Sequence, residues 1–223
     1  MTPMPRTSTP CDLFADLPSP VVLPEGVMLR PGLMHAEMQR DLAAAVTTLA
    51  MKAPFRRPQT RGQGTFSAAI TNCGDVGWWS DRHGYRYIPT QPDGGPPWPK
   101  MPEIFQKALK IAVTGSPWPD FAPDACLINF YGPGAKMGLH QDKDERDFSQ
   151  PIVTISLGDR ADFMVGGPNR TDRAQVFPFH SGDVLVMGGA GRTLFHGVRR
   201  VHPDTSPIAG VTGRTSLTFR KAL

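Results

Sequence analysis

Three of the chain's six histidines are followed two residues later by a carboxylate: His35/Glu37, His140/Asp142 and His202/Asp204. With 20 acidic residues in 223, such pairs arise readily by chance, so geometry has to choose among them. His35 and Glu37 fall in a segment of helical period, where side chains at i and i+2 diverge by about 200° and cannot easily share an ion. His202-Pro203-Asp204 reads as a turn, with no histidine after it. His140 and Asp142 follow a strand-like run and a Gly132-Pro133-Gly134 turn, and in an extended segment they project from the same side. A later histidine would complete the set of two imidazoles and one carboxylate that leaves positions of an octahedral Fe(II) open. His180 sits in the polar turn His180-Ser181-Gly182-Asp183, whereas His196 sits in the strand-like Thr193-Leu194-Phe195-His196-Gly197. A rigid element holds a ligand better, which favours His196.

A second constellation lies downstream. In Arg214-Thr215-Ser216-Leu217-Thr218-Phe219-Arg220 the period-two rule puts Arg214, Ser216, Thr218 and Arg220 on one face and Leu217 and Phe219 on the other. A strand standing alone with such a face would be read as solvent-facing. Beside a metal triad, two guanidiniums are what a dicarboxylate cosubstrate requires, because each can grip a carboxylate through two parallel hydrogen bonds. Asn129 and Tyr131 share parity on an earlier strand and offer an amide and a phenol to the same acid.

The elements that must position these residues follow from pattern. Leu33 to Met51 carries Met34, Met38, Leu42, Ala45 and Leu49 at helical spacing and closes at Pro54, and Pro102 to Thr114 carries Ile104, Ala108, Ile111 and Ala112. Arg56 to Trp98 reads as hairpins and surface loops. After Ala125 come short strands over 126–131, 152–157, 161–165, 184–187, 193–198 and 215–219, the rhythm of a sandwich or jelly roll.

These motifs resemble the AlkB family of Fe(II)- and 2-oxoglutarate-dependent nucleic-acid dealkylases. The match runs through Asn129-Phe130-Tyr131, His140-Gln141-Asp142-Lys143-Asp144, Pro151 to Gly158, Phe195-His196-Gly197 and Arg214 to Arg220. It reaches back to Thr71-Asn72-Cys73-Gly74, Trp78, Gly84-Tyr85-Arg86-Tyr87 and Pro97-Trp98-Pro99. The resemblance implies a mainly β (α+β) fold: a double-stranded β-helix, or jelly-roll, core with two supporting helices and an N-terminal nucleotide-recognition lid. Residues 1–24, with five prolines before Pro24 and little periodicity, read as an extended, partly disordered arm; the resemblance adds helices and lid (25–124) and the dioxygenase core (125–223), all within one structural unit. It makes His140, Asp142 and His196 the iron ligands. Asn129, Tyr131, Arg214, Ser216 and Arg220 become 2-oxoglutarate contacts, with Arg214 on the distal carboxylate and Arg220 nearer the metal. The familiar Arg-x-Asn reads here Arg214-Thr215-Ser216, a departure that bears on cosubstrate affinity. Trp78, Tyr85, Tyr87, Asp144 and Arg170 fall around the substrate nucleotide. The implied activity is oxidative demethylation of 1-methyladenine- and 3-methylcytosine-type bases in single- or double-stranded DNA, with RNA a second candidate, using iron, oxygen and 2-oxoglutarate and releasing formaldehyde. A hydroxylase of the same cofactors acting on a protein or small molecule is the alternative.

Composition sets bounds on all of this. Gly and Pro together make up about one residue in five (23 and 24 of 223), too many for a helical protein and too few for a low-complexity chain. A net charge of +4 suits a polyanionic partner without demanding one. Arg56, Arg57, Arg61, Arg82, Arg86, Arg170, Arg199 and Arg200 are candidate phosphate contacts. Three cysteines without zinc spacing argue against a disulfide scaffold, and the longest aliphatic stretch, Leu42 to Met51, is too short to span a membrane. The expectation is a cytoplasmic monomer with no membrane partner.

Overall fold

A computed structural model describes residues 22–60 and 64–223; most of the expected N-terminal arm, with Cys11, lies outside them, as does Arg61. In chain order the elements are β1 (Val27–Arg30), α1 (Ala36–Lys52), β2 (Ala69–Gly74), β3 (Gly77–Asp81), β4 (Gly84–Ile88), α2 (Glu103–Val113), β5 (Ala125–Tyr131), β6 (Met137–His140), β7 (Ile152–Gly158), β8 (Ala161–Val165), β9 (Gln175–Phe179), β10 (Val184–Met187), β11 (His196–Val201) and β12 (Arg214–Arg220). All pairings are antiparallel. A six-stranded sheet runs β1-β10-β7-β12-β5-β2, a four-stranded sheet runs β6-β11-β8-β9, and β3 and β4 form a hairpin of their own.

Alternation along the large sheet sorts its residues into two environments. Ile128, Val153, Ile155, Leu217 and Phe219 point to one side, where they pack with Leu42, Val46 and Leu49 of α1 and Phe105, Ala108, Leu109 and Ala112 of α2. The other side faces the small sheet, as in a jelly roll. There Leu185 and Met187 join Phe163, Phe177, Phe179 and Val198 in a second apolar cluster. Much of the rest of that inner face, on β5, β7 and β12, is polar: Asn129, Thr154, Ser156, Arg214, Ser216, Thr218 and Arg220 are all buried, with Leu127 among them. A polar wall inside a sandwich is costly unless its groups are paired or a ligand meets them, and it lines the cavity described below.

Several local expectations are corrected. The first helix begins only at Ala36, with His35 as its cap accepting from the Met38 amide at 3.4 Å, so Met34 lies before it; the buried face runs through Val46 rather than Ala45. On α2, Phe105 and Leu109 are buried and Ile111 is 39% exposed, because Phe105 meets Phe219 edge to face at 6.0 Å and turns the helix toward the sheet. The strand expected over 193–198 starts at His196. Before it, Phe195 is held by backbone hydrogen bonds to Gly166 and Gly167. Strand β9, with Pro178 inside it, gave no readable signal; it is an edge strand, where a missing N–H is tolerated. Among the described residues no helix is long and apolar enough to cross a membrane.

Candidate iron and 2-oxoglutarate site

Strands β6 and β11 place His140 directly opposite His196, with ring centroids 4.5 Å apart. Gly197 makes this closeness feasible: a Cβ there would come within 2.6 Å of the Met137 carbonyl oxygen. Asp142, two residues beyond β6, completes a group whose ligand atoms all lie within 4.8 Å of one another. His140 Nε2 is 3.7 Å from Asp142 Oδ1, and His196 Nε2 is 3.6 Å from Asp142 Oδ2. Each ring is oriented from behind, His140 Nδ1 lying 3.0 Å from the Gly138 carbonyl and His196 Nδ1 3.0 Å from that of Leu194. Such a contact holds the proton on Nδ1 and turns the Nε2 lone pair toward the shared point. Burial, with His196 alongside, lowers the His140 pKa to about 4, so the ring is in the neutral form a metal ligand needs. Burial alone would raise the Asp142 pKa, but the Arg220 charge and His196 override it and keep the carboxylate ionised.

The polar wall stands beside this triad. Across three adjacent strands Asn129, Ser216 and Ser156 share one register. Arg214 is fully buried; its Nε donates to Ser156 Oγ at 3.1 Å, and its guanidinium carbon lies 5.2 Å from the Tyr131 ring centre and 5.4 Å from that of Phe179. Its two terminal nitrogens have no hydrogen-bond partner among the described residues, and neither has Asn129 Oδ1. Buried donors are rarely left so, and a planar pair of free N–H groups on a fixed cation fits one end of a dicarboxylate. Burial lowers the Arg214 pKa and raises that of Tyr131. Arg220 donates through NH2 to Asp142 Oδ2 at 2.7 Å, and Asp142, Tyr87 and Glu145 together raise its pKa against the burial that would lower it.

A cavity of about 580 Å³ joins the triad and this wall to the β3–β4 hairpin and is lined also by Trp78, Tyr85, Asp144 and Arg170. Trp78 Nε1 donates to Asp144 Oδ2 at 2.7 Å, and its ring sits 5.4 Å from Tyr85 and 5.8 Å, edge-on, from Phe66. Twelve of the thirteen expected site residues line this one cavity. Tyr87 does not line the cavity: its hydroxyl donates to Glu145 and accepts from Arg220 NH1 at 3.2 Å. Trp79 packs on Ile70 and Leu127. Of the surface arginines, Arg56 and Arg86 are engaged by Asp93 and Asp81, each at 2.7 Å.

Three contributors escaped the sequence reading. Phe66 stands in a segment without period, while Glu145 and Arg192 form a buried ion pair at 3.0 Å behind Asp142. Nothing in Asp144-Glu145-Arg146-Asp147 marks which carboxylate turns inward, since the stretch lies outside any strand.

The resemblance to known proteins extends over almost the whole chain. The 2OG-Fe(II) oxygenase superfamily profile matches residues 26–220. The alpha-ketoglutarate-dependent dioxygenase AlkB of Escherichia coli is 44% identical over 213 residues, 95% of this chain and 97% of that protein. This chain belongs to the AlkB family. Another relative, the DNA N(6)-methyladenine demethylase ALKBH1C of Arabidopsis thaliana, is 37% identical over 161 residues, 61% of this chain and 35% of that one. The solved structure of OsALKBH1 superposes with a TM-score of 0.77 at 34% identity, covering 90% of this chain and 99% of that one. The chain is accordingly an Fe(II)- and 2-oxoglutarate-dependent dioxygenase with a jelly-roll fold, and its cofactors are iron(II), 2-oxoglutarate and oxygen.

Proposed function

We propose that the chain oxidatively demethylates N-alkylated bases of the 1-methyladenine and 3-methylcytosine type in DNA strands, with RNA strands a further substrate, working as a cytoplasmic monomer. The carrying observation is that Trp78, Tyr85 and Asp144 face the same cavity as His140, Asp142 and His196. A base methylated on its Watson–Crick edge is cationic, which favours stacking on an indole and the nearness of a carboxylate. The name of the Arabidopsis thaliana relative, a DNA N(6)-methyladenine demethylase, supports the broader class of N-methylated DNA bases, and the two buried free thiols, Cys73 and Cys126, suit a reducing compartment.

In this reading His140, Asp142 and His196 hold the iron, and the free N–H groups of Arg214 take the distal carboxylate of 2-oxoglutarate. Asn129, Tyr131 and Ser216 line its body, and Arg220 sits at the metal end. The target base is flipped out of its stack and slots between Trp78 and His140, with Asp144 beside the cationic ring and Arg170 at the rim for the strand. With oxygen, the bound iron and 2-oxoglutarate supply the oxidation that inserts one oxygen atom into a C–H bond of the N-methyl group, the other atom leaving in succinate as carbon dioxide is lost. The resulting N-hydroxymethyl base then releases formaldehyde. The chain's own part is orientation: no general base is needed, only a methyl group aimed at the triad.

Mass spectrometry of 1-methyladenine and 3-methylcytosine oligonucleotides incubated with the enzyme, iron(II), ascorbate and 2-oxoglutarate tests this directly. Loss of the methyl group with one formaldehyde per event is expected. Oligonucleotides recovered unchanged while 2-oxoglutarate is consumed on some other substrate would overturn it.

A further inference from the structure

The β3–β4 hairpin is tied to the metal-ligand segment at two successive residues. Trp78 and Tyr87 are direct cross-strand partners, so their side chains leave the same face of the hairpin side by side. Trp78 Nε1 donates to Asp144, and the Tyr87 hydroxyl donates to Glu145. Both acceptors follow closely on Asp142, yet the ties differ in what lies behind them. Asp144 is exposed and faces the cavity, whereas Glu145 is buried, with its second oxygen held by Arg192 NH2 at 3.0 Å. Arg192 is itself fixed: its NH1 donates to the Asp142 carbonyl at 2.9 Å and its Nε to the Gln150 carbonyl at 3.0 Å.

Arg220 lies between the two carboxylates. NH2 is on Asp142 Oδ2 at 2.7 Å, while NH1 is 3.5 Å from Glu145 Oε1 and 3.2 Å from the Tyr87 hydroxyl; Nε has no partner among the described residues. With donors to spare, its position is set by what pulls on each side. The Tyr87 hydroxyl occupies both its roles at this junction, giving its proton to Glu145 and its lone pair to Arg220. If the hairpin shifts, the pull on the NH1 side weakens and Arg220 turns further onto Asp142, whose oxygens are shared with the metal site.

We propose that Tyr87, Glu145 and Arg192 are positioning residues that couple occupancy of the hairpin face to the placement of Arg220 and Asp142, so that a base bound against Trp78 tightens 2-oxoglutarate. The proposal rests on the nucleic-acid reading above. Such coupling is reciprocal, and values of about fivefold or more are ordinary for linked sites.

The test measures, by calorimetry without oxygen, the 2-oxoglutarate dissociation constant of the iron(II)-loaded full chain with and without a short 1-methyladenine oligonucleotide. The wild type is expected to bind the cosubstrate about fivefold or more tightly when the oligonucleotide is present. Tyr87→Phe, which keeps the ring and removes only the hydroxyl, should bring that factor close to one, and so should Glu145→Gln. In air, both variants should form more succinate per formaldehyde than the wild type. A Tyr87→Phe enzyme with the wild-type factor and ratio overturns the coupling, as does a wild type whose factor is one. An oligonucleotide that Tyr87→Phe binds more weakly, with the factor unchanged, makes Tyr87 a base contact instead and also overturns it. Failure of the wild type to bind or demethylate any methylated oligonucleotide overturns the substrate reading and this inference together; demethylation with no coupling overturns the inference alone.

Discussion

The cosubstrate wall and the β3–β4 hairpin face each other across one cavity but are built on opposite principles. Strand β12 is paired on both sides along nearly its whole length, and Arg214, at its start, is fully buried. The hairpin has only two strands, and every residue of β4 is half-buried. Two strands alone are marginal in water, and this pair is pinned by side chains. The Asn72 amide clasps the Trp78 backbone with two hydrogen bonds of 3.0 Å, Ser80 Oγ donates to the Gln59 carbonyl, and Trp98 Nε1 donates to that of Ile88 at 2.9 Å. The wall meets the same small acid at every turnover and gains from rigidity. The hairpin has to admit a base on a polymer, and a few replaceable tethers leave it room to yield.

Damage to one side should therefore appear in one kinetic constant when the other substrate is held at saturation, where the coupling between the two sites is already fully expressed. The metal triad, which serves both sides, gives the largest effect: Asp142→Ala or His140→Ala should abolish 2-oxoglutarate-dependent formaldehyde release, measured with circular dichroism to show that the fold persists. Any iron-dependent turnover retained by both variants would remove the triad from the chemistry. On the wall, Arg214→Lys keeps the charge but loses the planar pair of donors. The KM for 2-oxoglutarate should rise on the order of a hundredfold, as when one partner of a buried charged hydrogen-bonded pair is lost, while the KM for the oligonucleotide stays put. A parallel rise in both would mean that the two regions are not separable.

The same contrast explains what could be read from the sequence. The wall was legible because a strand forces side chains to alternate, so Arg214, Ser216 and Arg220 had to share a face whatever the tertiary structure. His196 could be singled out for its strand-like setting. The network behind Asp142 was not legible, because Glu145 and Arg192 lie on irregular backbone, where no period links sequence to direction. Tyr87 illustrates the limit. Alternation puts it beside Trp78 on the hairpin face, but only the packing decides that it reaches Glu145 and Arg220 while Trp78 and Tyr85 reach the cavity. The rotated faces of α1 and α2 have a similar origin: Phe105 and Val46 are buried by what the sheet offers, which helical spacing cannot foresee.

On the hairpin side, Trp78→Ala should raise the KM for a methylated oligonucleotide on the order of tenfold, the usual cost of one lost stacking platform, with the 2-oxoglutarate KM changed far less. Restoration by Trp78→Phe would separate stacking from the hydrogen bond to Asp144, which phenylalanine cannot make; no restoration would assign the effect to that bond.

The smallest effect expected is a gain. Ser216 stands between Asn129 and Ser156 on the wall, and Asn129 Oδ1 beside it has no hydrogen-bond partner among the described residues. An amide at this position reaches further than a hydroxyl and brings two donors, one for Asn129 and one for the cosubstrate. Ser216→Asn should therefore lower the 2-oxoglutarate KM by roughly fivefold, about 1 kcal/mol and the net worth of one hydrogen bond, and leave the oligonucleotide KM unchanged. A KM that rises instead would mean the added atoms strain a wall already closely packed. Either sign measures how much freedom the rigid side of the cavity retains, and only a fall agrees with the unpaired groups that Arg214 and Asn129 now present.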